Sequence, residues 1–227
     1  MQLELQNIHK SYFNNLGTPQ REVLIDISLS INSGESIAIV GPSGSGKSTL
    51  LNIMGTLDAP SSGKVWLNHT EITTLSEPKL AEIRNQKIGF VFQIHHLLPQ
   101  LNLLDNVLIP TIPQKDKTKK KAAVARAKEL LHTVGLSDKV HQLPGQLSVG
   151  ECQRAAVVRA LINQPELILA DEPTGSLDHD NALLLGDLLS KIQKEYSLAM
   201  VLVTHSLELA NRMDTTYKLV NGKLIAQ

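Results

Sequence analysis

The stretch SIAIVGPSGSGKST, residues 36–49, decides the fold of this chain. Its first five residues, Ser36–Val40, form a short run of aliphatic residues that predicts a buried strand. The motif G-x-x-x-x-G-K-[ST] follows at once, from Gly41 to Ser48, and a helical pattern runs from Thr49 to Leu57. A strand before the motif and a helix after it are the context of a phosphate-binding loop, and this context disfavours a glycine-rich turn that matches by chance.

The residue types in this loop suit a nucleoside triphosphate. Glycines let backbone N–H groups approach phosphate oxygens without an intervening Cβ atom, and the helix N-terminus adds partial positive charge. Lys47 can reach the β and γ phosphates, and the Ser48 hydroxyl can bind Mg²⁺. We expect these residues to hold the nucleotide: Gly41, Pro42, Ser43, Gly44, Ser45, Gly46, Lys47, Ser48 and Thr49.

A second aliphatic run, Leu167–Ala170, ends in the acidic pair Asp171-Glu172. A carboxylate at the carboxyl end of a parallel strand lies where ligands of open α/β sheets bind. Asp171 is therefore a candidate ligand of Mg²⁺, through water, and Glu172 a candidate base for the attacking water. The alternative is that the pair caps a helix or opens a turn before Pro173.

Two further aliphatic runs, Ile88–Phe92 and Met200–Val203, predict strands of the same parallel sheet, because they are apolar throughout and helical patterns separate them. The N-terminal third, with turn signals at residues 32–34 and 61–63, predicts a smaller antiparallel sheet. Residues 97–163 predict helices only. Within them, the apolar face of a helix over residues 121–134 is formed by Ala123, Val124, Ala127, Leu130, Leu131 and Val134.

Composition excludes several classes of protein. The 22 basic residues balance the 22 acidic ones, and only 3% of residues are aromatic, which argues against a nucleic-acid partner. The single cysteine cannot form an internal disulfide. The longest apolar run, Leu198–Val203, has six residues where a membrane span needs about 20, so we expect no crossing of the membrane by this chain alone.

A second anion site is predicted at the segment LSVGE, residues 147–151. Ser148 and Glu151 form an S-x-x-E capping box, and an apolar helical face follows through Ala155 and Leu161. The capped N-terminus of a helix attracts anions.

The order of motifs resembles the nucleotide-binding subunit of an ATP-binding cassette (ABC) transporter. The resemblance covers nearly the whole chain and rests on the phosphate loop, Gln93, residues 147–151, Asp171-Glu172, the segment 176–178 and Thr204-His205. It implies a P-loop NTPase (RecA-like) α/β core with a parallel sheet, an N-terminal antiparallel β subdomain and a helical insert. Residues 1–227 then form one domain, with 1–93 and 164–227 as the catalytic core and 94–163 as the helical subdomain.

The resemblance also implies the cofactors ATP and Mg²⁺ and a role for further residues. Tyr12 is similar to the aromatic residue that stacks on adenine, Gln93 to the residue that senses Mg²⁺ and the membrane partner, and His205 to the histidine that contacts the γ-phosphate. Ordinary packing, a polar loop position and a histidine at a helix start are the respective alternatives. The remaining nucleotide-binding residues that the resemblance implies are Ser148, Gly150, Glu151 and Asp178.

The family works as a head-to-tail homodimer in which each signature segment, here residues 147–151, closes over ATP held by the second copy. Membrane permease subunits are then driven through the surface near Gln93 and the helical insert. For this chain the resemblance implies a peripheral location on the cytoplasmic face of the bacterial inner membrane.

Finer features are similar to the ATPase of bacterial lipoprotein-releasing (Lol) transporters. They are the segments 82–93, 96–99, 105–110 and 206–213. Macrolide-export and cell-division ATPases share parts of them, and a soluble ABC ATPase acting on ribosomes or DNA is a weaker alternative. Leu97 and Leu98 either contact a helix of the membrane partner or fill the core below the Gln93 loop.

Four positions need separate comment. Val149 stands where the family usually has glycine, so it could crowd the triphosphate, and Ser206 replaces a frequent Asp but also caps a helix well. Cys152 is interpreted as a small buried thiol rather than a redox switch. The run KDKTKKK, residues 115–121, is interpreted as a solvated loop leading into a helix, with an acidic partner or lipid headgroups as the alternative.

Overall fold

Two β-sheets form the framework of the structure, a computed structural model that describes residues 2–13 and 19–227. The strands are β1 Leu3–Phe13, β2 Pro19–Ile31, β3 Ser36–Val40, β4 Ser62–Leu67, β5 Thr70–Glu71, β6 Ile88–Phe92, β7 Leu167–Asp171, β8 Ala199–Val203, β9 Thr215–Val220 and β10 Lys223–Ala226. The helices are α1 Lys47–Met54, α2 Glu77–Lys87, α3 Leu103–Leu108, α4 Lys117–Thr133, α5 Val149–Leu161, α6 His179–Glu195 and α7 Leu207–Ala210.

The larger sheet has the strand order β10-β9-β3-β8-β7-β6, and all its pairs are parallel except β9 with β10. The four predicted strands are all present in it. Its register aligns Phe92 with Asp171, Asp171 with Val203, and Val203 with Ile39. The carboxyl ends of β3, β6, β7 and β8 therefore meet at one edge of the sheet, and the loops that follow them lie side by side.

Both faces of this sheet are buried. Ile37 and Ile39 of β3 pack with α1 and the smaller sheet, whereas Ala38 and Val40 pack with α3, α4, α5 and α6. Alternate residues of one strand thus serve two cores, which explains why these strands are apolar throughout.

The smaller sheet is antiparallel with the order β2-β1-β4-β5, as predicted. The turn predicted at residues 61–63 is wrong, because Ser62 and Gly63 already belong to β4. Gly63 has a φ of 95°, and a Cβ atom there would lie 2.4 Å from the Asn7 carbonyl oxygen. The glycine marks an irregularity in the pairing with β1, where the two backbones approach closely.

Residues 97–163 contain helices and short 3₁₀ turns without a strand. Their helix α4 buries Ala127, Leu130 and Leu131, but Val124 is exposed, so its predicted place on the apolar face is wrong. The reason is that only the C-terminal half of α4 packs against the core, while residues 117–122 are exposed. No helix of residues 2–13 and 19–227 is long and apolar enough to span a membrane.

Candidate nucleotide-binding site

The loop between β3 and α1 is shaped by close contact with β2. Gly46 has a φ of 104°, and a Cβ atom there would lie 2.8 Å from Cγ1 of Val23. The Ser45 N–H donates to the Pro42 carbonyl at 3.2 Å, and the Leu50 N–H donates to the Gly46 carbonyl at 2.9 Å to begin the helix. The sequence therefore needs glycine at position 46 both for its backbone angle and for the space beside Val23.

Lys47 lies beneath this loop. Its ammonium donates to the carbonyl oxygens of Gly41 at 2.9 Å and Pro42 at 3.1 Å, and only 8% of the residue is exposed. A buried cation is costly unless an anion meets it. The site therefore suits a ligand that brings negative charge.

An open cleft of about 610 Å³ lies over the loop. Its lining residues are Tyr12, Val23, Gly44, Gly46, Lys47, Ser48 and Thr49. Glycine, ammonium and hydroxyl groups at one end and an aromatic ring at the other match the phosphate and base ends of a nucleotide. None of the residues 147–151 belongs to this lining.

Tyr12 is 44% exposed, so ordinary core packing does not account for it. Its hydroxyl donates to Asp58 at 3.2 Å, and the Lys10 ammonium lies 5.1 Å from the ring centroid and 2.6 Å from the same carboxylate. Lys10 and Asp58 thereby fix the orientation of an exposed ring.

Asp171 ends β7 beside the phosphate loop. Its Oδ1 atom is buried and has no hydrogen-bond partner in the part of the chain that the structure describes. Burial raises the pKa of Asp171 above its usual value; a hydrogen bond from Ser48 opposes the rise, the charge of Glu172 adds to it, and the charge of Lys47 opposes it. An unpartnered carboxylate oxygen next to a serine hydroxyl is a donor set that fits Mg²⁺ or its bound water.

Glu172 and His205 are brought together across two strands. The Glu172 carboxylate accepts from the His205 backbone N–H at 3.1 Å, and the same oxygen lies 2.8 Å from Nδ1 of the His205 ring. Glu172 has a φ of 47°, and its own N–H donates to the Val203 carbonyl at 2.9 Å. A non-glycine residue in this conformation is unfavourable by about 1–3 kcal/mol and marks a carboxylate held in one place.

Gln93 follows β6 at the same edge. The Ser176 hydroxyl donates to its carbonyl oxygen at 3.0 Å, and Gly175 leaves room for its amide, since a Cβ atom there would lie 2.8 Å from Nε2. The structure therefore brings Gln93 to the loop that follows Glu172.

The helix start at residues 147–151 has the predicted capping box. Ser148 Oγ accepts from the Glu151 N–H at 3.2 Å, and the Glu151 carboxylate accepts from the Ser148 N–H at 2.8 Å. That carboxylate also pairs with Lys139 at 2.9 Å, so Glu151 holds the helix start rather than pointing outward. Ser148 and Val149 are exposed, and Val149 has no positive φ, so valine fits the first helical position without strain.

Asp178 lies next to this helix start through Asn181, a residue that the sequence did not single out. The Asp178 carboxylate caps α6 by accepting from the Asn181 N–H at 2.9 Å and the Asn181 amide at 2.7 Å. A Cβ atom at Gly150 would lie 2.8 Å from Oδ1 of Asn181, so the contact requires glycine. Asn181 stands three residues after the N-cap, the position at which such a partner could have been sought.

Comparison with known proteins decides the family. The family model described as ABC transporter matches residues 24–175. The chain belongs to the ABC transporter family. It is an ATP hydrolase of the ABC type, and its ABC ATPase fold agrees with the fold that the motif order predicts.

The relatives of this ABC ATPase include lipoprotein-releasing system ATP-binding proteins named LolD. The one from Shewanella oneidensis is 48% identical over 98% of this chain and 95% of its own length. The one from Colwellia psychrerythraea is 46% identical over 98% and 84%, respectively. A dimeric post-hydrolysis structure of the ATP-binding cassette MJ0796, bound to ADP and Pi, is 35% identical and has a TM-score of 0.85 over 98% of this chain and 96% of that one.

Replacing Asp171 with asparagine should stabilise this ABC ATPase in the absence of nucleotide. The pKa of Asp171 is higher in the folded protein than in the unfolded chain. The free energy of unfolding therefore falls as the pH rises above the pKa of the unfolded chain, and it stays lowered at neutral pH because the buried carboxylate is then ionised. For a chain of this size 1 kcal/mol corresponds to about 2–4 °C, and we expect Asp171→Asn to raise the melting temperature by up to about 4 °C at pH 7.

Differential scanning fluorimetry at pH 7 and pH 4 checks this prediction. The gain should shrink at pH 4, because the raised pKa lets the folded wild-type carboxyl group take up a proton more readily than the unfolded one as the pH falls. Mg-ATP should stabilise the variant less than the wild type. A lower melting temperature at pH 7 would contradict the prediction.

Proposed function

We propose that this ABC ATPase drives the release of lipoproteins from the bacterial inner membrane. One observation carries the choice of cargo: relatives named as lipoprotein-releasing system ATP-binding proteins are 46–48% identical over 98% of the chain. Similarity over nearly the full length includes the segments proposed to contact partners as well as the proposed nucleotide site. The relatives named above are described as lipoprotein-releasing proteins, and this description favours that cargo over macrolide export, cell division, or action on ribosomes or DNA.

In this proposal the chain binds Mg-ATP with the residues that meet at the carboxyl edge of the larger sheet. Tyr12 stacks on the base, and Lys47 neutralises phosphate charge. The loop contributes Gly41, Pro42, Ser43, Gly44, Ser45, Gly46, Ser48 and Thr49. Ser48, Gln93 and Asp171 would hold Mg²⁺, which supplies charge neutralisation on the phosphates when it is bound.

Glu172 is the proposed general base. Its carboxylate is fixed by the His205 backbone and by its own positive φ, which leaves it oriented before substrate arrives. The His205 side chain is 70% exposed, so its ring can turn toward a γ-phosphate while the His205 backbone N–H still holds Glu172.

We further propose that two copies bind head to tail around two Mg-ATP molecules. The cleft over the phosphate loop is open, and the exposed Ser148 helix start does not line it. A second copy would supply Ser148, Gly150 and Asp178, with Glu151 holding the helix start. The dimeric structures of the MJ0796 cassette, 35–37% identical to this chain, support such a pair.

The membrane partner would dock on a groove of about 470 Å³ between α2, β6 and α5. Phe90, Phe92, Ile109 and Pro110 give it an apolar lining, and Leu57 at its rim is 49% exposed. A helical segment of an integral permease subunit fits this chemistry. The proposal places the chain on the cytoplasmic face of the membrane, attached through that partner and with no nucleic acid bound.

The two leucines beside Gln93 differ in environment. Leu97 is 6% exposed and belongs to the core, whereas Leu98 is 47% exposed and remains available to a partner. In the proposed division of the domain, both belong to the helical subdomain 94–163, and residues 1–93 and 164–227 form the catalytic core.

Two smaller interpretations concern the helical subdomain. Cys152 is buried, and burial raises the pKa of its thiol, which favours a packing role over a redox switch. Residues 115–121 are exposed, and α4 begins at Lys117, so the lysine run is a solvated helix start.

A reconstitution experiment tests the proposed cargo. The chain is co-purified with the permease subunits of a lipoprotein-releasing transporter, placed in proteoliposomes that contain a lipoprotein, and supplied with Mg-ATP. We expect the lipoprotein to leave the vesicles, and we expect no release with Glu172→Gln in the same complex. Release of a macrolide but not of a lipoprotein would assign the chain to the export branch instead.

A further inference from the structure

The Gln93 segment, defined here as residues 92–96, is held by side chains of α5, the helix that begins at the signature segment. Gln153 donates from Nε2 to the Phe92 carbonyl at 2.6 Å. Arg159 donates from Nη2 to the His95 carbonyl and from Nη1 to the His96 carbonyl, both at 2.7 Å. Two side chains of one helix thus bind three carbonyl oxygens on either side of Gln93.

The Gln153 side chain is energetically unfavourable at its position. It is 0% exposed, and its Oε1 atom is buried with no hydrogen-bond partner among residues 2–13 and 19–227. An unpaired buried amide oxygen destabilises a protein by about 1–3 kcal/mol, and an apolar side chain of similar size would avoid that loss. The amide is therefore explained by its single bond to Phe92, the residue before Gln93.

The charged Arg159 side chain is also in an unfavourable environment, because it is partly buried. Burial lowers the pKa of its guanidinium group, and the side chain forms one wall of the groove proposed for the membrane partner. Both of its acceptors are backbone oxygens, so its charge serves to fix the shape of a loop. A lysine at this position has a shorter, flexible donor and lacks the planar guanidinium fork that holds both carbonyls in one geometry.

The segment that these residues hold is not in a relaxed conformation. His96 has a φ of 48°, which is unfavourable for a non-glycine residue, and its ring packs edge-on against Phe92 with centroids 5.6 Å apart. The Leu97 N–H donates to the His95 ring at 3.0 Å. Such a conformation persists only where its surroundings fix it, and Arg159 of α5 supplies two hydrogen bonds, to His95 and His96, that do so.

We propose that Gln153 and Arg159 are positioning residues that join the signature helix and the Gln93 segment into one moving body. This inference rests on the proposed head-to-tail pair, in which Ser148 meets the second copy's ATP. Movement of α5 toward that ATP would then carry Gln93 and the adjoining wall of the partner groove with it. Nucleotide at one site would be communicated to the membrane partner and to the second site through three carbonyl hydrogen bonds.

Hydrogen–deuterium exchange on the full chain tests the proposal, with Glu172→Gln as the background so that ATP is retained. In Glu172→Gln alone, ATP should slow amide exchange both in residues 148–155 and in residues 92–98. With Arg159→Ala, or separately with Gln153→Leu, protection of 148–155 should remain, and protection of 92–98 should fall by about tenfold. Arg159→Lys should restore part of it.

Arg126→Ala is the matched control. Like Arg159, Arg126 donates to a backbone carbonyl, but its acceptor is Leu161 at 3.4 Å, which lies outside the Gln93 segment. The substitution should leave protection of 92–98 unchanged. In the Glu172-intact protein, Arg159→Ala should lower kcat by about tenfold with KM within about twofold. A purely structural defect would instead lower the melting temperature and change both kcat and KM.

Full ATP-dependent protection of 92–98 in both Arg159→Ala and Gln153→Leu would overturn the proposal. Failure of the proposed pair is recognised separately, by absence of protection in 148–155 before either substitution is made. The link between Arg159 and the Gln93 segment is then tested without nucleotide. Arg159→Ala must still speed exchange of residues 95–98 by about tenfold, and unchanged exchange overturns the proposal.

Discussion

Replacing Glu172 with glutamine should lower the rate of ATP hydrolysis by a factor of about 10² to 10⁴ and leave ATP affinity within about twofold. The amide has the same shape as the carboxylate and can still accept from the His205 N–H that now binds Glu172 at 3.1 Å. It cannot accept a proton from the attacking water. The positive φ at this position remains equally populated, since the backbone contacts of β7 and β8 do not change.

ATP-bound dimers should therefore accumulate in Glu172→Gln. Steady-state phosphate release measures the rate, and size-exclusion chromatography with light scattering measures the mass of the species with and without ATP. A dimer that appears only with ATP and only in the variant supports both the base and the pair.

Glu166 provides the matched control, because it precedes β7 at the opposite end from Glu172. Its carboxylate binds Gln2, Asn68 and Lys87, and none of them lines the nucleotide cleft. Glu166→Gln should keep hydrolysis within about twofold of the wild type. Undiminished hydrolysis in Glu172→Gln would remove Glu172 from its proposed role.

The edge of the sheet that carries this site was predictable from the sequence. Four runs of aliphatic residues predict buried parallel strands, and each ends where a polar or glycine motif begins. The register then brings Gly41, Gln93, Glu172 and Thr204 to one edge, because each follows the last paired residue of its strand. Local pattern was sufficient here, since parallel strands align their carboxyl ends.

Contacts between distant segments were not predictable in this way. The bond between Gln153 and Phe92 joins residues 61 positions apart, and the bond between Lys10 and Asp58 joins residues 48 apart. Neither pair follows from a helical or strand period, because the packing of whole elements decides which side chains meet. Gly63 was misinterpreted for the same reason: its neighbour Asn7 lies on another strand.

The sequence pattern is also weak for strands at the edge of the larger sheet. Strands β9 and β10 were not predicted, because only Leu219 of β9 is fully buried and the two strands lie at the end of the sheet. The leucine pair 97–98 could not be resolved from the sequence, since two adjacent apolar residues give no period. Its division into one buried and one exposed side chain depends on the turn that follows β6.

Replacing Lys47 with methionine should abolish stabilisation by Mg-ATP without destabilising the nucleotide-free protein. The ammonium is buried, and among the described residues it donates to the carbonyl oxygens of Gly41 and Pro42. Methionine preserves the unbranched stem and removes a desolvated charge, so the melting temperature without nucleotide should stay the same or rise. Phosphate oxygens then lose the cation that would meet them, and affinity should fall by more than about 100-fold.

Thermal unfolding with and without Mg-ATP gives the measurement. Ligand at about 100 times its dissociation constant contributes about 2.7 kcal/mol, which corresponds to a shift of about 5–11 °C for a chain of this size. The same concentration should shift Lys47→Met by about 2 °C or less. Lys64→Met is the control, since Lys64 pairs with Glu71 in the smaller sheet and should leave the ATP shift intact.

The two halves of this prediction fail independently. A nucleotide-free Lys47→Met protein that melts well below the wild type would mean that the two carbonyl bonds outweigh the desolvation of the ammonium. A full ATP shift in that variant would mean that backbone N–H groups and the α1 N-terminus bind phosphate without the lysine. In the latter case the buried charge would serve the shape of the loop rather than the capture of nucleotide.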